Sequence, residues 1–261
     1  MQSALWVSKT GLAAQDVSLR TISNNLANVS TVGYKRDRAT FQDLMYQIEA
    51  QPGGLTSQDT TNPSGLQLGV GVRVVGTQKE FSEGSIQTTG QPLDLAIEGR
   101  GFFQITMPDG SLAYTRAGEF QLDQDGRIVT PQGFPLEPAI NVPQEATGLT
   151  IGVDGTVTAT MPGDAAPNQL GMIQLVTFMN PAGLEAVGGN LFVETAASGT
   201  PQQGTPGENG MGQIVQGSLE TSNVSVVEEL VNMVATQRAY EMNSRVVSTA
   251  DQMLQYVTQN I

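Results

Sequence analysis

Neither cysteine nor histidine occurs in the 261 residues, and aromatic residues make up only 5%. Without those two residue types there is no thiol nucleophile, no histidine-based triad and none of the usual zinc ligand sets. Without thiols the chain is also indifferent to redox compartment. Scarce aromatics beside 30 glycines and 13 prolines suit many short strands and turns better than a large α/β enzyme core. No run of about 18 apolar residues could cross a membrane as a helix. The start is interrupted by Ser8, Lys9, Thr10 and Gly11, which leaves no apolar core for a cleaved signal peptide, so any export is expected to leave the chain uncleaved.

Positive charge is also scarce, with 12 basic against 25 acidic residues and a formal net charge of −13. Residues 41–223 hold 5 basic and 19 acidic residues. Such an acidic body does not offset phosphate repulsion, so no nucleic-acid partner is expected. Residues 1–40 carry the local excess of cations, including Lys35, Arg36 and Arg38. These are expected either to pair with carboxylates of a neighbouring chain or to offset the negative end of a helix dipole.

The patterning at the two ends is the strongest signal. Leu5, Leu12, Leu19 and Leu26 recur at heptad spacing, with Ile22 beside them. Val226, Met233, Tyr240, Val247, Leu254 and Ile261 do the same at the other end, where Leu230, Val234, Ala250 and Val257 widen the stripe. Helices of about 40 and 54 Å follow from ~1.5 Å per residue. Each must bury its stripe, and pairing with each other and with the same helices of other copies achieves this. The pattern is that of a polymer subunit whose middle is held outside a helical core. Glu228 and Glu229 suit the positive end of the second helix, which Ser222 or Asn223 can cap.

Between the helices, Phe41 to Glu49 could hold a short helical continuation. Residues 51–65 then lack apolar periodicity and are dense in Gly, Pro, Ser and Thr. Alternation begins at Val70–Val75 and recurs at Leu93–Glu98. Pro108-Asp109-Gly110, Asp125-Gly126 and Asp154-Gly155 each sit between short apolar runs, as hairpins require. The fold class is therefore α+β, with paired long terminal helices resembling a coiled coil and an inserted, mainly antiparallel β body. The expected division is 1–35 with 223–261 as a discontinuous helical domain, 36–92 as a connecting segment with an extended loop or hairpin at 47–65, and 93–222 as a β-rich outer domain.

Candidate chemistry is thin. Asp94 and Glu98 on one strand face read better as a solvated face than as a glycosidase pair. Gln121 to Gly126 lacks the first acidic ligand of a calcium loop and has Gln132 where the bidentate Glu belongs. Gly69-Val70-Gly71 and Gly99-Arg100-Gly101 lack the third glycine of a phosphate cradle. No catalytic, cofactor or metal site is expected, and the chain is not expected to be an enzyme. The alternatives of another class are a secreted glycan-acting protein with a coiled-coil stalk and a coiled-coil scaffold.

Specific motifs add a resemblance. Ser23 to Lys35, with Asn24, Asn25, Leu26, Ala27, Asn28, Gly33, Tyr34 and Lys35, is similar to the signature that opens bacterial flagellar rod and hook proteins. Gly101-Phe102-Phe103, Tyr114 to Gly118 and Asp125 to Thr130 resemble the body segment of that family, and Ser222 to Met233 with Gln237 to Glu241 resembles its C-terminal signature. Tyr46 to Leu66, through Gln51, Pro52, Gly53, Pro63 and Gly65, is most similar to distal rod subunits, with proximal rod or hook-type subunits as the alternative. The resemblance implies a helical homopolymer forming a hollow shaft that carries torque from motor to hook. Terminal helices would line its inner wall, and the loop would touch neighbouring subunits. The implied partners are other copies, proximal rod proteins, hook protein, rod-surrounding ring proteins and the type III export apparatus, with no membrane-embedded segment and no cofactor. Limited proteolysis of the monomer is expected to trim both ends and leave a core of about Leu66 to Glu220; full protection of both ends would contradict this.

Overall fold

The structure, a computed structural model, describes residues 2–51, 55–57, 60–61, 64–162 and 166–259. It divides into two compact units: one formed by Met1–Ala27, Asp37–Gln78 and Ser225–Ile261, the other by Asn28–Arg36 and Lys79–Val224. Among the described residues no helix is long and apolar enough to cross a membrane.

The first unit is built on two helices, α1 (Gln2–Ala27) and α2 (Val226–Gln259), which pack against each other. At ~1.5 Å per residue they run about 39 and 51 Å. Gly11 marks close approach between them, since a Cβ there would lie 3.1 Å from the Asn243 amide. Strand Asp37–Asp43 packs on α1 and pairs with Val72–Lys79. The helical continuation expected over Phe41 to Glu49 is instead the end of that strand and the start of the next, Tyr46–Ala50. The two strands belong to separate two-stranded ribbons. Tyr46–Ala50 pairs antiparallel with Leu66–Gly69, with Tyr46 opposite Gly69, to form a two-stranded arm. The segment 47–65, expected as an extended loop or hairpin, thus starts inside Tyr46–Ala50 and stops just before the strand paired with it, Leu66–Gly69.

The second unit is the β body. Its main sheet runs Glu185–Gly188, Leu191–Val193, Leu112–Thr115, Phe102–Thr106, Leu175–Thr177 and Gln202–Gly204, and Leu136–Glu137 also pairs with Phe102–Thr106. Among the described residues every pairing in it is antiparallel, as hairpin connections favour. The three Asp-Gly turns fall where they were expected, joining Phe102–Thr106 to Leu112–Thr115, Gln121–Leu122 to Ile128–Val129, and Gly148–Ile151 to Thr156–Thr160.

Phe102 and Phe103 are both buried and, being neighbours on a strand, face opposite sides of the sheet. Phe103 joins the main core with Leu95, Ile97, Ile105, Leu175 and Ile214. Phe102 joins a smaller aromatic cluster with Tyr114, Phe178 and Phe192. Strand Leu95–Glu98 departs from the expected alternation because Ala96 is as buried as Leu95 and Ile97, leaving only Glu98 exposed.

Candidate functional site

The signature residues after α1 fold into the β body. Gly33 has φ +68° and donates its N–H to Glu220 O at 2.8 Å. A Cβ at Gly33 would lie 2.6 Å from Ala117 N, so both backbone conformation and space require glycine. Tyr34 is buried, with Lys79 Nζ 5.2 Å above its ring. Asn190 Nδ2 donates to Val32 O at 2.7 Å, fixing the loop from the other side.

Lys35 is fully buried. Its Nζ donates to Ser82 O at 2.7 Å and to Glu220 Oε1 at 2.6 Å. The Glu220 carboxylate is 1% exposed and also accepts from Gly84 N at 2.9 Å and Arg116 Nη1 at 3.3 Å. Arg116 in turn donates to Gly99 O at 2.6 Å and Ile97 O at 3.2 Å. Burial strips the Lys35 ammonium of water and outweighs the attraction of Glu220, so its pKa lies below the ordinary lysine value. Lys35 follows α1 by eight residues and Glu220 precedes α2 by six, so this cluster clamps the two segments that lead into the helices. Asn223 adds a second clamp within the body: it accepts from Arg36 N at 2.7 Å and donates to Glu80 O at 2.8 Å. It is thus a staple instead of the helix cap it was expected to supply, while Ser222 Oγ accepts from Val224 N at 3.3 Å.

Lys35 corrects the expectation for the basic cluster, since it is paired inside its own chain. Glu220 and Arg116 were missed as functional residues. Their signal was faint: Arg116 stood inside a body motif, and Glu220 is 185 positions from its partner. Among the other signature residues, Asn25 brackets the exit of α1, with Nδ2 donating to Asp37 O at 2.8 Å and Oδ1 accepting from Asp37 N at 2.9 Å. Leu26 and Asn28 are half-buried, and Asn24 and Ala27 are exposed.

On the helices, Leu5, Leu12, Leu19 and Leu26 are half-buried and Ile22 is buried. On α2, Met233 and Val247 are half-buried, while Val226, Leu230 and Tyr240 are exposed at 41%, 45% and 42%. Among the described residues the buried α2 positions are Ala250, which belongs to the expected stripe, and Glu229 and Thr236, which do not, with Asn243 against Gly11. That row lies three residues further along the same heptad. The Leu254 and Val257 side chains, and Ile261, lie outside the described residues, as do Pro52, Gly53 and Pro63 of the loop. Gln51 is exposed and Gly65 half-buried. Asp123 and Asp125 of the calcium-like turn are both paired with Arg127, at 3.2 and 3.1 Å.

Helices from both ends of one chain, with an antiparallel body inserted between them and clamped at its entry and exit, define a structural axial subunit. Three family models match: "Flagella basal body rod protein" over residues 5–35, "Flagellar hook protein FlgE/F/G D1 domain" over 96–159, and "Flagellar basal body rod FlgEFG protein C-terminal" over 215–260. The chain is 55% identical to the flagellar basal-body rod protein FlgG of Buchnera aphidicola subsp. Schizaphis graminum, covering 99% of this chain and 100% of that one. It is 47% identical to FlgG of Caulobacter vibrioides over 98% of each chain, and 37% identical to FlgG of Bacillus subtilis over 98% and 97%. The chain belongs to the FlgG family of flagellar basal-body rod proteins.

Replacing Glu220 leaves two buried cations without their carboxylate. Glu220→Gln is therefore expected to destabilise the protein by about 3–5 kcal/mol in urea unfolding, whereas exposed Glu83→Gln should change it by less than about 0.5 kcal/mol. Gly33→Ala should cost about 1 kcal/mol or more. Equal midpoints for Glu220→Gln and the unmodified chain would refute the clamp.

Proposed function

We propose that the chain is a structural subunit of the distal part of the flagellar basal-body rod, self-assembling helically into a hollow shaft that transmits torque from motor to hook. The family assignment supports a rod subunit, and one feature of α2 supports assembly through the helices. Val227, Val231, Val234, Met242, Val246 and Met253 are all 49–73% exposed. At 3.6 residues per turn Val227, Val231 and Val234 lie opposite Thr236 and Asn243, and Met242, Val246 and Met253 lie along the flank. The buried and half-buried positions of α2 mix Glu229, Thr236 and Asn243 with Met233, Val247 and Ala250, and a second set of large apolar side chains stays exposed. A fully solvated helix face would carry few of these. Further helices, from other copies, are what this face would bury, in the coiled-coil manner expected from the heptads.

The role is mechanical and not enzymatic, and proximal rod proteins, hook protein, ring proteins and the export apparatus are the partners it implies. The two-stranded arm is assigned to contacts between copies. A lone ribbon is marginally stable in water, yet this one exposes Met45 at 86%, Tyr46 at 54% and Ile48 at 56%.

Val231→Asp puts a carboxylate where the monomer leaves open solvent. Thermal unfolding of the monomer should stay within about 2 °C of the unmodified chain, while rods seen by electron microscopy should be lost. Normal rods would move the seam elsewhere. Val247→Asp should likewise block assembly and motility. Deleting Gln47 to Gly65 should leave a polymer that is curved or compliant; a straight, equally stiff one would reduce the arm to a spacer.

A further inference from the structure

The two terminal helices carry a repeat that does not by itself fix their offset. Leu5, Leu12, Leu19 and Leu26 on α1 and Val226, Met233, Tyr240 and Val247 on α2 recur every seven residues. Sliding one helix past the other by a heptad, about 10 Å, therefore restores the same apolar pattern. Something outside the pattern has to choose among these registers. Gly11 is the only glycine in either helix. Glycine weakens a helix interior, so its place needs a reason, and the reason is close contact: a Cβ there would stand 3.1 Å from Nδ2 and 3.6 Å from Cγ of Asn243. Elsewhere on the same row of α1 the residues carry a Cβ, as Ser18 does one heptad on. Counted from the ends joined to the body, Gly11 is 16 residues along α1 and Asn243 is 17 along α2. At ~1.5 Å per residue that is about 24 and 26 Å, the match expected of an antiparallel pair.

The neighbouring residue ties the same turn of α1 to the ribbon. Thr10 Oγ1 donates to Val7 O at 2.8 Å and accepts from Val72 N at 3.4 Å. Gly71, with φ +117°, comes so close that a Cβ on it would collide with Thr10 Oγ1. One turn of α1 is thus held by the ribbon through Thr10 and by α2 through Gly11. We propose that Asn243 is a positioning residue, with Gly11 as its seat, that selects one register of α1 against α2 from those the heptads allow. Asn243 is half-buried in the row of Glu229, Thr236 and Ala250. A polar side chain in such a seam specifies register at a cost in stability. The consequence rests on the self-assembly proposed above: copies that share one register present the exposed valines of α2 at one height beside α1 and stack in a regular lattice.

Because the chain lacks cysteine, two introduced thiols carry spin labels without background. Ser23→Cys and Ser248→Cys replace exposed serines that lie about 26 Å apart along the pair with Gly11 and Asn243 level. Pulsed electron–electron resonance, on the monomer and on filaments in which labelled copies are diluted with unlabelled ones, should give one narrow distance. Asn243→Ala should add a second population shifted by about 10 Å, and Gly11→Leu should displace most molecules from the first. Gly11→Leu with Asn243→Gly should return a single distance, since α2 then offers the space and α1 the side chain. A distance indifferent to both Asn243→Ala and Gly11→Leu, no recovery in the double variant, or a broad distribution in monomer and filament of the otherwise unmodified chain would overturn the register role. A single distance in chains that form no filaments would overturn self-assembly and leave the register role standing.

Discussion

The carboxylate of Glu220 accepts from Lys35, Gly84 and Arg116 in the interior of the β body, and the geometry of both chain connections follows from it. Two cations and one anion out of water form an arrangement whose desolvation is offset only when every partner is placed within hydrogen-bond reach. The backbone meets that demand: Ser82, Ile97 and Gly99 present carbonyls to the cations, and Gly33, which bonds Glu220 O, can lie against the Arg116–Ala117 backbone because it has no Cβ. The cluster ties the segment that follows α1 to the one that precedes α2 within the body. For a subunit that carries torque, a defined entry and exit is a mechanical property as much as a stabilising one.

The second constraint is the division of labour on α2. Glu229, Thr236, Asn243 and Ala250 occupy its buried or partly covered row beside half-buried Met233 and Val247, while Val227, Val231 and Val234 remain exposed. A single chain of this kind is incompletely buried by design of its sequence. The apolar face has a strong reason to find further helices, and the arm, with Met45 and Ile48 exposed, repeats the same situation in a ribbon.

Much of this was legible in the residues. The two terminal helices follow from heptads, and the hairpins from Asp-Gly turns, because both signals are local. The row of α2 that faces α1 was not legible: a heptad of apolar residues marks a surface seeking burial but does not say which partner buries it. The first strand was misread at Phe41 to Glu49, where no single period dominates and the ribbon pairing with Leu66–Gly69 decides the outcome. The Lys35–Glu220–Arg116 cluster joins positions up to 185 residues apart. A burial that depends on so long a closure leaves no pattern in any window of sequence. Gly33 and Lys35 were singled out through the resemblance, and only the geometry supplies their physical reason.

The central claim, that the terminal helices are the assembling element and the β body is carried outside them, is tested most directly by electron cryo-microscopy of the purified protein polymerised at high concentration. The account predicts a straight hollow tube whose inner wall is α1 and α2 from many copies, with the apolar face of α2 covered and the β bodies on the outside. A protein that stays monomeric at every concentration, or a polymer joined through β bodies with Val231 and Val234 still in solvent, would contradict it.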